Sequence, residues 1–291
     1  MKTAPIFAEG NGLIFQPEDR EICEELLRSA PDRGGGARPL SEIIVAVGRR
    51  FLGVPYEAGT LEQEGAEELV VNLHGFDCVT FVENTLVLAR MVAAGGSGFA
   101  DFAAALERIR YRGGRRRGYP SRLHYFTDWL RDNERKGMVR DITAVIGGSA
   151  FRKQFHALTD RRADHPALKD ARALAWMRKV ETLCSQRTLH RIPKADLSRV
   201  VERIANGDII AVTTDEAGLD VSHTGFAVHD RGKLRLLHAS SGEGKVVLSD
   251  MTLERYLLSR DSRTGIIVGR PLPERLSGFE ACERVEERQK R

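Results

Sequence analysis

The sequence predicts an α+β protein in which a helical first half packs on a C-terminal antiparallel β-sheet. Up to about Gly207, apolar residues recur mostly at helical spacing. After it, "DIIAVTT", "HTGFAVHD", "KLRLLHAS", "GKVVLS" and "GIIVGR" are short, β-branched-rich runs divided by turn residues. Helices first and a β-meander second, with no clean compositional boundary between them, read as one α+β unit. That unit is expected over residues 40–273, with a helical extension over 1–39 and a charged tail over 274–291.

The elements follow in order. "QPEDREICEELLRSA" opens with proline and acids, as helix N-termini prefer, and stops at the Gly- and Pro-rich "PDRGGGARP". Ser41 is expected to cap "EIIVAVGRRFLG", and "VPYEAGTLEQEG" reads as a loop. In "GFDCVTFVENTLVLAR", Val79, Val82, Leu86, Ala89 and then Ala93 recur at helical spacing, and further apolar residues widen the stripe. The pattern predicts a helix buried on most sides. "GFADFAAALERIRYR", "SRLHYFTDWLRDNERKG", "DHPALKDARALAWMRKVETLCSQR" and "KADLSRVVERIANG" complete the expected helices.

At 291 residues, 42% hydrophobic and 30% charged, the chain has ample material for a core, and nothing argues for extended disorder. Cys23, Cys78, Cys184 and Cys282 are widely spaced and form no C-x-x-C, so neither a zinc knuckle nor a dithiol redox motif is indicated. A disulfide framework does not suit a chain of this length. No stretch approaches the roughly 20 apolar residues of a membrane span. "MKTAPIFAEGNGLIF" lacks the features of a signal peptide. The compartment is periplasm or envelope if a leader has been removed, otherwise cytoplasm or secretion without a standard signal.

Why an acid and a cysteine stand immediately ahead of a long apolar helix is the informative question. Asp77 is a good N-cap, which puts Cys78 in the first turn, where free backbone N–H groups and the helix dipole favour a thiolate. Such positions lower a thiol pKa well below about 8.5. A cysteine that merely starts a helix is the plain alternative. The histidines sharpen the contrast. If "HDRGKL" turns on Arg231-Gly232, Asp230 pairs with Lys233 and His238 lies opposite Gly225. His223 and His238 are then diagonal neighbours on one face, about 7–8 Å apart. A loop one residue longer would separate them. The same register puts Gly225 and Ala227 on the histidine face, where small residues would admit a helix carrying Cys78. Nucleophile, base and orienting group are the parts of a thiol hydrolase.

The order "PY" (Pro55-Tyr56), "DC" opening a helix, "SHTGFAV" and "LHAS" resembles the NlpC-type, papain-like bacterial cell-wall hydrolases. "FDCVTFVE", "SRLHYFTDWL", "GLDVSHTGFAV" and "LLHASS" are similar to their N-acetylmuramoyl-L-alanine amidase-like subfamily, over about Leu40 to Pro271. The resemblance implies a papain-like fold and a cysteine attacking an amide of peptidoglycan or a muropeptide, without metal or organic cofactor. Cys78 would be the nucleophile, His223 the base and His238 the orienting residue. Tyr56 would line the site near the oxyanion, and Asp77 would help bind a substrate amine. "SRLHYFTDWL" would border the cleft, with Arg122 or Trp129 touching sugar or peptide; core packing by Trp129 and Tyr125 is the alternative. "DCVT" replaces the commoner "DCSG", so Val79 stands for a small serine, which weakens the case for dipeptidyl specificity.

Arg108 to Arg122 carry seven arginines and no acid. This stretch is either a solvated loop or a site for an anionic polymer, and with only Tyr111 and Tyr119 interleaved it offers no stacking platform for nucleic acid. His74 is expected at the surface or rim, and His156, His165, His190 and His229 are expected to be incidental. The competing functions are a stem-peptide endopeptidase, an acyltransferase on the same fold, and a non-enzymatic protein binding nucleic acid or holding zinc through Cys78, His223 and His238.

Overall fold

In the computed structural model, which describes residues 7–9, 12–29, 38–63, 65–96 and 98–273, helices dominate the first half and an antiparallel sheet the second. The hairpin β1 (Phe7–Glu9) and β2 (Leu13–Phe15) joins β3 (Leu69–Val70), which runs parallel to β2, in a small three-stranded sheet. Helices α1 (Pro17–Ser29), α2 (Leu40–Arg50), α3 (Cys78–Ala94), α4 (Phe99–Arg110) and α5 (Phe126–Arg135) follow in the first half. Next come β4 (Val139–Asp141), β5 (Ser149–Phe151), α6 (Ala157–Asp160), α7 (Ala171–Ser185) and β6 (Leu189–Pro193). The chain then lays down β7 (Ile209–Thr214), β8 (Val221–Asp230), β9 (Lys233–Ser240), β10 (Lys245–Thr252), α8 (Leu253–Leu258) and β11 (Arg263–Pro271). The main sheet has eight strands in the order β10-β9-β8-β7-β11-β6-β5, antiparallel at every step, and β4 pairs with the end of β11.

Strand alternation sorts the side chains of this sheet onto two cores. Phe226, Val228, Leu237 and Ala239 face α3, whose Phe81, Val82, Leu86, Leu88 and Ala89 are fully buried. On the other face Ile210, Val212, Ala227, Leu234 and Leu236 pack against Leu253, Tyr256 and Leu257 of α8. Phe15, Cys23, Leu26 and Leu27, from within the expected N-terminal extension, belong to the α3 core. The expected tail at 274–291, with Cys282, lies outside the described residues. Among those described, no helix is long and apolar enough to cross a membrane.

A charge in the α3 core needs explanation, because a carboxylate loses its hydration there. Glu83 accepts Arg110 Nε at 2.7 Å and Trp129 Nε1 at 3.0 Å, so both carboxylate oxygens are paired. Trp129 is accordingly a fully buried core residue.

Several expected elements differ. Pro39 precedes α2 and Ser41 lies inside it, so no serine caps that helix. α5 starts at Phe126 rather than at "SRLHY", because Asp220 supplies its N-terminal bonds, accepting from the Thr127 N–H and hydroxyl at 2.8 Å each. Asp170 caps α7, which is therefore shorter than "DHPALKD…" suggested. "KADLSRVVERIANG" forms two short 3₁₀ segments, 194–199 and 201–203, sufficient to bury Leu197 and Val200.

Candidate active site

α3 begins at Cys78, with Asp77 as its N-cap: Asp77 Oδ1 accepts the Val79 and Thr80 N–H groups at 3.0 and 2.7 Å, and Thr80 Oγ1 takes the Asp77 N–H. That capping box fixes the cysteine in the first turn. The backbone N–H groups of Thr224, Cys78 and Val79 are directed to the sulfur. Thr224 can reach because of the sheet. In β8, Ala227 exchanges its backbone bonds with the β7 side, through Asp208 and Gly207, so Thr224, Phe226 and Val228 point theirs toward β9. The β8–β9 register runs from Asp230↔Lys233 to Phe226↔Leu237 and stops there. Thr224, two residues further on, meets the Cys78 thiol instead of a strand.

The N-terminal position does not give Cys78 a low pKa. Burial pushes the thiol up to about 12, the Asp77 carboxylate adds to this, and the three N–H groups oppose it without prevailing. The resting group is a neutral thiol.

The hairpin register is the expected one: Asp230 pairs with Lys233, and Arg231 and Gly232 turn with φ of 49° and 73°. His223 and His238 consequently share a face. Their approach is closer than diagonal spacing alone provides, with His223 Nε2 at 2.6 Å from His238 Nδ1 and the rings edge-to-face. Burial holds His223 well below its ordinary range, with His238 and Arg263 contributing, and brings His238 down to about 4, helped by Arg263.

One expectation about this face is overturned. Gly225 and Ala227 do lie on the histidine side, but α3 packs on the opposite face, against Phe226 and Val228. Gly225 is small for another reason: a Cβ there would sit 2.7 Å from the Leu237 carbonyl oxygen and 2.8 Å from His238 Cβ. What the histidine face receives is Tyr256 of α8, whose ring centre lies 5.8 Å from His223 and 5.5 Å from His238. Arg263 places its guanidinium carbon 3.7 Å from the centre of the Tyr256 ring. Tyr256, Arg263 and Thr224 were not singled out from the sequence. Only Thr224, inside "SHTGF", carried a signal there.

Tyr56 joins the group. Its N–H donates to Gly244 O at 2.8 Å, tying the "PY" segment to the β9–β10 turn, and burial, then the nearby Cys78 and Asp77, raise its hydroxyl to about 12. The phenol therefore stays a donor. Asp77 spends one carboxylate oxygen on its cap. Arg122 is buried and serves the loop after Tyr56: it donates to Leu61 O at 2.7 Å and Glu62 Oε1 at 2.5 Å. Trp129, in the α3 core, has no exposed surface with which to touch a substrate. His74 is a partly exposed residue bonded to Asp19 at 2.9 Å.

The arginine stretch is only in part a solvated loop. Arg110, Arg112, Arg116 and Arg122 reach inward, to Glu83, Asp128, the Gly12 and Glu67 carbonyls, and Glu62; Arg108, Arg115 and Arg117 are exposed. Among the described residues no group of three or more His, Cys, Asp or Glu side chains converges as a metal site. The two histidine nitrogens that meet are spent on each other, which is unfavourable for joint ligation with Cys78.

A family model described as N-acetylmuramoyl-L-alanine amidase-like matches residues 46–266. A crystal structure of an N-acetylmuramoyl-L-alanine amidase from Bacteroides uniformis is 37% identical with a TM-score of 0.76, covering 80% of this chain and 98% of that one. A Bacteroides fragilis structure whose xylanase name is provisional is 42% identical with a TM-score of 0.74, covering 77% of this chain and 99% of that one. A Legionella pneumophila protein at 23% identity shares the fold, with a TM-score of 0.68 over 89% of this chain and 96% of that one. No curated protein matches the chain.

Proposed function

Because the chain belongs to the N-acetylmuramoyl-L-alanine amidase-like family, we propose that it is a cysteine-dependent hydrolase of an amide bond in bacterial peptidoglycan, with the papain-like arrangement of the NlpC-type enzymes. The observation that supports this reading is the meeting of Cys78, at the start of α3, with the N–H of Thr224, the residue next to the bonded His223–His238 pair.

The chemistry uses the chain's own groups. Cys78 Sγ adds to the carbonyl carbon of the muramoyl–L-Ala amide while its proton passes to His223 Nδ1. Thiol and imidazole both rest neutral, so proton transfer accompanies C–S bond formation rather than preceding it. The oxyanion draws on the Cys78 N–H and the Tyr56 hydroxyl, where loss of one donor costs about 2.7–4 kcal/mol of barrier. The C–N bond then breaks, and His223 returns its proton to the departing alanine amine. Water, deprotonated by His223, hydrolyses the thioester and restores the thiol. His238 orients the base by accepting the His223 Nε2–H.

Digestion of purified peptidoglycan and soluble muropeptides by the protein and by Cys78→Ala, with products identified by mass spectrometry, tests this. Free stem peptide with intact glycan, lost in Cys78→Ala, supports the amidase. Shortened stems mean an endopeptidase, and products trapped on added amines mean acyl transfer. Untouched substrates sink the hydrolase reading.

A further inference from the structure

The His223–His238 bond constrains more than position. Two neutral imidazoles 2.6 Å apart share one proton, and the base is available only when His223 holds it on Nε2 and donates to His238 Nδ1. Protonating His238 reverses the bond. His238 Nδ1–H then donates to His223 Nε2, His223 carries its proton on Nδ1, and no lone pair is left for Cys78. One proton on the orienting residue is enough to silence the base.

We propose that Arg263, acting through Tyr256, is a positioning residue that holds the histidine pair in the arrangement that leaves His223 Nδ1 free; this rests on the roles of Cys78 and His223 given above. The Tyr256 ring lies against both imidazoles, and the Arg263 guanidinium lies 3.7 Å from the centre of the same ring. Arg263 Nη1 is anchored by the Tyr256 carbonyl and, at 2.9 Å, by the Ser259 hydroxyl, both at the end of α8. The positive charge is thus fixed beside the pair, where it opposes a second positive charge on His238. The other titratable groups here are Asp77 and Cys78 at the start of α3, Tyr56 in the preceding loop, and Tyr256 and Arg260 from α8 and the turn after it. The strands on either side contribute Val212 opposite His223 and Val247 opposite His238, neither of which titrates.

The plain alternative is that Arg263 only caps α8. The two are separated by titrating ¹⁵N-histidine-labelled full-length protein by NMR for wild type, Arg263→Gln and Arg263→Lys, and by alkylating Cys78 with iodoacetamide across pH. In Arg263→Gln, His238 is expected to titrate at higher pH, and His223 to switch to the Nδ1–H tautomer over the same range. A rise of half a unit makes Cys78 alkylation about threefold slower on the acid limb and leaves it unchanged at pH 8. Arg263→Lys restores the wild-type profile. An unmoved His238 titration, or an alkylation loss equal at all pH values, overturns the proposal. A shifted titration in a protein that leaves peptidoglycan intact supports it while sinking the hydrolase reading.

Discussion

His223 Nε2 and His238 Nδ1 lie 2.6 Å apart although 15 positions separate the residues. Replacing His238 by alanine leaves the His223 ring free to rotate and its Nε2–H unpaired. Amide hydrolysis is expected to fall by roughly 10²-fold or more through kcat, with KM little changed. Steady-state kinetics on a soluble muropeptide checks this, and wild-type kcat in His238→Ala would remove the orienting role.

Asp77 caps α3 with one carboxylate oxygen. Asp77→Ala is expected to cost about 1 kcal/mol of stability, and Asp77→Asn, which keeps an acceptor, considerably less. Urea denaturation reads both. If Asp77→Asn is stable yet loses affinity for stem peptides bearing a free amine, Asp77 also binds substrate.

Gly225 separates β8 from β9 where the histidines face each other. In Gly225→Ala the new methyl meets the Leu237 carbonyl and His238 Cβ, backbone-linked atoms that move only if the strands part. About 1–3 kcal/mol of destabilisation is expected, with a disproportionate loss of hydrolysis at temperatures where the variant is folded. A fully active Gly225→Ala would show that the spacing of β8 and β9 is not critical.

Acid should destabilise the protein through its histidines before its carboxylates. His124 is brought down to about 3 by burial and the charge of Arg122, His238 to about 4, and His223 also lies well below the ordinary 6.5. Their stabilising effect is complete above about pH 6.5, where the unfolded chain is neutral too. It drains as pH falls toward the folded values, because the unfolded chain binds protons first. The loss is at most about 1.4 kcal/mol per pH unit for each histidine. The Tm should therefore fall between pH 6.5 and 4.5, and His124→Gln should flatten that fall; a Tm constant over the range would exclude it.

Which parts of this were legible in the sequence follows from how far each signal reaches. The β8–β9 hairpin was legible because a two-residue turn at Arg231-Gly232 fixes register, and register fixes which face each histidine takes. The start of α3 was legible from Asp77 and the apolar stripe behind it. The strands β1 to β6 have at most five residues each, too few for alternation to stand out. Tyr256 sits on a six-residue helix with less than two turns of pattern. The inward pairing of Arg110 and Arg122 was not legible for another reason: their partners Glu83 and Glu62 lie 27 and 60 positions away, and a charge run shows nothing of the acids that fold onto it.

The early end of the β8–β9 ladder also changes what an inactive control means. A strand N–H deprived of its neighbour is ordinarily satisfied by water, but at Thr224 the sulfur of Cys78 occupies that place. Cys78 is thus a neighbour of the sheet's open end as well as a candidate nucleophile. Cys78 is half-buried, so truncation to alanine removes the sulfur and leaves the Thr224 N–H to water, whereas Cys78→Ser returns an oxygen to it. Serine, not alanine, is then the substitution for trapping a bound substrate in an undisturbed site.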